Sequence, residues 1–164
     1  MEFLTGVRMK ETLGIQQILE GDYDGKKVKV NGAVHNVRDM GDVAFVILRK
    51  AEGLVQCVFE EGKTQFDLKA LKEESAVEVT GVVTREERAP HGFEIRLEII
   101  HVLSEPAETM PIAINKWKMN TSLETKLSLR PVSLRNLRER AKFKIQEGIV
   151  RAFREFLFTQ GFTE

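Results

Sequence analysis

Three side chains between positions 38 and 56 carry groups suited to gripping an unstacked nucleobase: Arg38 a planar guanidinium, Phe45 an aromatic face, and Gln56 an amide that both donates and accepts. An aromatic ring stacks on any base, while guanidinium and amide groups can read base edges or sugar-phosphate. Each has an ordinary alternative role. In the run VAFVIL, Ala44, Val46 and Leu48 share one strand face and Val43, Phe45 and Ile47 the other. A small barrel buries only one of them, so Phe45 is open between core residue and stacking platform. Gln56 shares a face with Leu54 and Val58 and fits an ordinary solvent-facing strand residue. Arg38, beside a turn, fits a plain surface charge.

Other chemistry has no carrier in the sequence. His35, His91 and His101 lack metal-ligand spacing, and no glycine-rich phosphate loop, zinc-binding HExxH or nucleophile-elbow serine occurs. Glu86 and Glu87 lie in a charged strand end, where solvation accounts for them. The expectation is no catalytic residue and no metal site.

Composition bounds the class. A chain of 164 residues, 42% hydrophobic, is long enough for one real core and a smaller appendage. No run approaches the roughly 18 apolar residues of a membrane span. The opening MEFLTGVRMKETLG lacks the apolar stretch of a secretory signal, and the single cysteine, Cys57, suits a reducing cytoplasm. Basic and acidic residues balance at 25 each, which argues against indiscriminate nucleic-acid binding. The balance hides an asymmetry of −4 up to Leu123 and +4 from Glu124 onward. That C-terminal charge suits either a solvated helix face or phosphate contact.

The elements that position these residues follow from period and punctuation. Ile15, Ile18 and Leu19 predict a short helix closed by Gly21. Alternation and glycine turns predict strands over 26–37, 43–49 and 54–59, with a bulge or bend at Gly32. Phe66, Leu68 and Leu71 predict a helix over 64–74 with Thr64 as its N-cap. Strands over 76–85, with Gly81 at mid-strand, and 93–103 follow. Five short strands with glycine bends and a helix between the third and fourth are the layout of an OB-fold, a partly open barrel. Residues 104–132, with no clear periodicity, predict a hinge pinned by Trp117. After Ser133, Leu134, Leu137, Ala141, Ile145, Ile149, Phe153 and Phe156 predict one long amphipathic helix ending at Gly161, with a Glu147–Arg151 pair. Its wide apolar face implies a partner surface. The class is mainly β with helices, divided as 1–103, 104–132 and 133–164.

The tract GAVHNVRDMGDVAFVILRKAEGLVQ resembles the N-terminal anticodon-binding domain of class IIb aminoacyl-tRNA synthetases, the aspartyl, asparaginyl and lysyl enzymes. LETKLSLRPVSLRNLRERAKFKI and AFREFLFTQGFTE resemble the approach to, and the helix of, motif 1 in their aspartyl and asparaginyl members. Thr125, Lys126, Leu127, Arg130, Leu134 and Arg135 look most like the archaeal-type aspartyl branch, with asparaginyl next. The resemblance implies that Phe45 stacks on the central anticodon uridine and that Gln56 bonds its edge. It places Arg38 near the anticodon and Glu94 at the first anticodon position. An acid there accepts from a base N–H and repels phosphate, which suits a specificity element; a solvent-facing strand carboxylate is its plain alternative. Ala33 stands where the family often has Trp, and Ser133 and Leu137 where it has Asp or Trp and Pro.

For the parent enzyme the resemblance implies aminoacylation with aspartate, using ATP and Mg2+, by a homodimer built partly through motif 1. The chain reaches Glu164 before motifs 2 and 3, so these 164 residues alone are expected to be inactive, to hold no cofactor and to need the missing catalytic domain. The other readings are an asparaginyl enzyme, a general single-stranded nucleic-acid-binding OB module, and a protein-interaction domain.

Overall fold

The computed structural model describes residues 12–164; residues 1–11, within the opening read above for a signal, lie outside them. The described residues begin with α1 (Ile15–Glu20), which buries Ile15 and Ile18. Its first N–H is capped by the Glu52 carboxylate, and Gly21 closes it with an N–H donated to the Gln17 carbonyl. Five strands follow, β1 (Lys27–Asp39), β2 (Val43–Arg49), β3 (Leu54–Glu60), β4 (Ala76–Arg85) and β5 (Phe93–Ser104). They form a closed barrel in the order β1-β2-β3-β5-β4. All neighbours are antiparallel except β3 and β5, which run parallel.

The period-two pattern puts Val28, Val30, Val34, Ala44, Val46, Leu48, Val55, Cys57, Val77, Val79 and Ile95 inside. Small β-branched residues dominate, as a narrow barrel requires. Its closure bends β1 and β5. Gly32 lies where β1 passes from β4 to β2, and a Cβ there would meet the Arg49 carbonyl oxygen at 3.1 Å. The bulge in β1 itself falls three residues later, at His35. At Gly81 a Cβ would lie 2.2 Å from the Arg96 carbonyl oxygen, so β4 approaches β5 more closely than any side chain permits.

The helix expected over 64–74 is not formed; only a 3₁₀ turn, Leu68–Ala70, occurs, capped by Asp67 rather than Thr64. Thr64 is buried, its Oγ1 donating to the Leu97 carbonyl, and the Gln65 N–H donates to Glu98. Those bonds commit the start of the segment to β5, and Phe66 and Leu68 reach the core from an irregular path.

The chain divides into two units, with the second covering Met110–Glu164. Within it the expected hinge carries structure: α2 (Leu123–Ser128), capped by Ser122, and α3 (Arg130–Ser133). Ile112, Ile114 and Met119 form a small core with Leu129 and Val132. Trp117 pins nothing, being largely exposed. The long helix is also shorter than expected. α4 spans Leu137–Thr159 because Asn136 breaks it from α3: its Oδ1 accepts from the N–H groups of Arg138 and Glu139, and its Nδ2 donates to the Ile114 and Lys116 carbonyls. One buried amide thus caps the helix and anchors the preceding loop. The Glu147–Arg151 pair forms at 3.0 Å, and Ile145, Ile149, Phe153 and Phe156 remain exposed.

At one end of the barrel Arg49 makes a two-pronged ion pair with Glu74, at 2.6 and 2.8 Å, and its Nη1 lies 3.2 Å from His35 Nδ1. A guanidinium only donates, so His35 Nδ1 accepts and the ring is neutral. Burial, reinforced by the Arg49 charge and opposed by Glu74, holds the His35 pKa below its ordinary value. With the folded pKa depressed, the unfolded chain takes up the proton first, so stability falls as pH drops from about 6.5 through the lowered value. Glu60 and Glu139, whose carboxyls are lowered by hydrogen bonds from lysines, act only below the ordinary carboxylate range. Denaturant unfolding between about pH 6.5 and 5 should therefore show declining stability, and His35→Gln should flatten that slope; an unchanged slope in the variant would assign it elsewhere.

Candidate nucleic-acid interface

Strand alternation and register fix the outer face of β1, β2, β3 and β5. Val34 and His35 are both buried across the β1 bulge, which turns Asn36 and Arg38 outward. Arg38 then pairs with Phe45, Phe45 with Val58, and Val58 with Arg96. In the adjoining row Asn36 pairs with Ile47, Ile47 with Gln56, and Gln56 with Glu94. Neighbouring strands stand about 4.8 Å apart, so these two rows form one continuous patch. In it Phe45 is half-buried while Ile47 and Val58 are buried, Arg38 and Arg96 stand at the two ends of the first row, and Gln56 and Glu94 lie side by side in the second.

The ambiguity at Phe45 is resolved by its neighbours. Ala44, Val46 and Leu48 fill the barrel, so Phe45 lies on the outer face, half-buried. Gln56 is likewise half-buried on that face and Arg38 is exposed. Glu94 departs from the expected open strand carboxylate: its side chain is only 10% exposed. Gln56 Nε2 donates to Glu94 Oε2 at 3.2 Å, and Arg96 Nε lies 3.9 Å from Glu94 Oε1. The four residues singled out in the sequence therefore occupy one surface. Sequence reading passed over Asn36 and Arg96, which share it. The alternation of Glu94, Arg96 and Glu98 in FEIRLEI marks Arg96 as outward, but only the parallel register with β3 brings it beside Val58.

The chemistry these side chains offer is that of recognition. An aromatic face supplies sequence-indifferent stacking, the guanidiniums supply phosphate attraction, and the amide supplies a base-edge contact. Among the described residues no cluster of His, Cys, Asp or Glu is placed to hold a metal ion.

The fold is an OB-fold barrel, and residues 28–103 match the family model tRNA_anti-codon, described as an OB-fold nucleic acid binding domain. The aspartate–tRNA(Asp/Asn) ligase of Deinococcus radiodurans is 42% identical over 142 residues, covering 87% of this chain and 31% of that protein. That of Archaeoglobus fulgidus is 40% identical over 147 residues, covering 87% and 34%. The crystal structure of asparaginyl-tRNA synthetase from Pyrococcus horikoshii superposes with a TM-score of 0.78 at 31% identity, over 94% of this chain and 36% of that one. The resemblance to the aspartyl and asparaginyl synthetases is thereby borne out. The chain spans about a third of the length of the curated relatives it matches.

Placement of Phe45 outside the core has a direct thermodynamic signature. Leu48→Ala, emptying a fully buried site, should cost about 2–5 kcal/mol in denaturant unfolding. Phe45→Ala should cost clearly less; an equal or larger loss would put the ring in the core.

Proposed function

We propose that the barrel binds the anticodon loop of a tRNA, as part of an aspartate–tRNA ligase. The observation that carries the reading is the patch itself: a half-buried aromatic, an amide, a guanidinium and a carboxylate on the strand face of an OB-fold, at the positions the synthetase resemblance assigns, with Arg96 beside them. Phe45 stacks on the central anticodon base. Gln56 bonds that base's edge, Arg38 attracts the adjoining backbone, and Glu94 borders the first position. Stacking contributes about 1–3 kcal/mol per base without regard to identity, so selectivity falls to the polar groups.

The whole protein, on this reading, joins aspartate to tRNA using ATP and Mg2+. The resemblance assigns that reaction to the catalytic domain. The exposed apolar face of α4 then belongs to motif 1, covered by the catalytic domain and a second subunit. No helix among the described residues is long and apolar enough to cross a membrane, and the reading places the protein in the cytoplasm. An asparagine-specific parent is the second reading, favoured by the superposition on the Pyrococcus enzyme. Aspartate and asparagine anticodons share G and U at their first two positions, so a surface reading those two bases serves either tRNA.

Binding to anticodon stem-loops with U or C at the centre, at one stated salt concentration, tests the reading. The expected result is preference for central U and loss of about 1–3 kcal/mol in Phe45→Ala. Equal affinity for unrelated oligonucleotides would favour a general single-strand binder instead. Absence of RNA binding would favour a protein-interaction domain.

A further inference from the structure

Gln56 alone is a poor discriminator, because a side-chain amide satisfies opposite base edges by turning over. Uracil presents an N3–H donor flanked by carbonyl acceptors; cytosine presents an N3 acceptor beside an amino donor. An amide free to flip can bond either one. In this chain it is not free. Its Nε2 donates to Glu94 Oε2 at 3.2 Å, and a carboxylate only accepts, so the NH2 group is directed toward β5. The opposite end of the amide, the Oε1 acceptor, is thereby directed away from β5. The carboxylate is itself held: it is a register partner of Gln56, its side chain is 10% exposed, and Arg96 Nε stands 3.9 Å from its other oxygen.

We propose that Glu94 is a positioning residue that acts through Gln56. By locking the amide in one orientation, it presents a fixed acceptor that matches uracil N3–H and opposes cytosine N3. The inference rests on the anticodon reading above and adds the origin of its selectivity at the central base. It also reassigns the main effect of Glu94, which acts on the centre rather than by contact with the first base. Arg96 steadies the carboxylate and offsets the repulsion it would exert on a nearby phosphate.

The test is a double-mutant cycle on stem-loops carrying U or C at the centre and G or A at the first position. Glu94→Gln keeps shape but lets the pair flip together. It should reduce the central U-over-C preference from about tenfold or more to within about twofold, while the first-position preference persists. In a Gln56→Ala background the same change should have no effect on the central preference. An intact central preference in Glu94→Gln, a loss confined to the first position, or an equal loss in both backgrounds would overturn the proposal. A wild type with no central preference would overturn the anticodon reading as well, which separates the two failures.

Discussion

Three residue pairs between β3 and β5, Gln56 with Glu94, Cys57 with Ile95 and Val58 with Arg96, close the barrel, and the rest of the structure depends on them. They are the sole parallel pairing among the strands, and the chain reaches it only after passing through β4. Thr64 and Gln65 reinforce the joint by bonding to Leu97 and Glu98 of β5. The inner residues of these pairs, Cys57 and Ile95, are fully buried, and burial together with the Glu94 charge pushes the Cys57 thiol well above its ordinary pKa. The outer residues, Gln56, Val58, Glu94 and Arg96, lie in the proposed binding surface. The pairing that closes the barrel thus also sets side by side the β3 and β5 residues of the proposed surface.

Closing so small a barrel forces bends, and each is met by a specific residue. β4 passes against the Arg96 carbonyl at a distance only Gly81 tolerates. β1 bulges at His35, which turns Asn36 and Arg38 to the outer face, and the buried Arg49–Glu74 pair holds the bulge from below. Glu74 sits at φ +68°, an unfavourable backbone conformation for a residue with a side chain. Its two bonds from Arg49 compensate part of that cost. The His35–Arg49–Glu74 cluster therefore sits at the bulge that sets which β1 side chains face the patch.

The strands were legible in the sequence because inward and outward residues alternate and glycine turns separate them, so β2 and β4 match their expected bounds. Phe45, Gln56, Arg38 and Glu94 were legible through their match to a known motif, but their mutual geometry was not. Glu94 reads as an open carboxylate until the register sets it against Gln56 and Arg96. The misread segments share one cause: long-range bonds overrode local pattern. Residues 64–74 have helical spacing, yet Thr64 and Gln65 are bonded to β5. Residues 134–136 continue an apolar stripe, yet the Asn136 amide is spent on Ile114 and Lys116 and stops the helix. In the expected hinge, three apolar residues too widely spaced to show a period make a small core.

The central claim is that one outer face of the barrel, and no other part of these residues, meets the anticodon. The most direct measurement is a 15N-labelled titration of the protein with an anticodon stem-loop carrying G and U at its first two positions, followed amide by amide. The account predicts that the largest shifts fall on Arg38, Phe45, Gln56, Val58, Glu94 and Arg96, with the inward-facing sites and the Arg49–Glu74 end little changed. Shifts centred on another face of the barrel, or on α4 with the barrel silent, would contradict it.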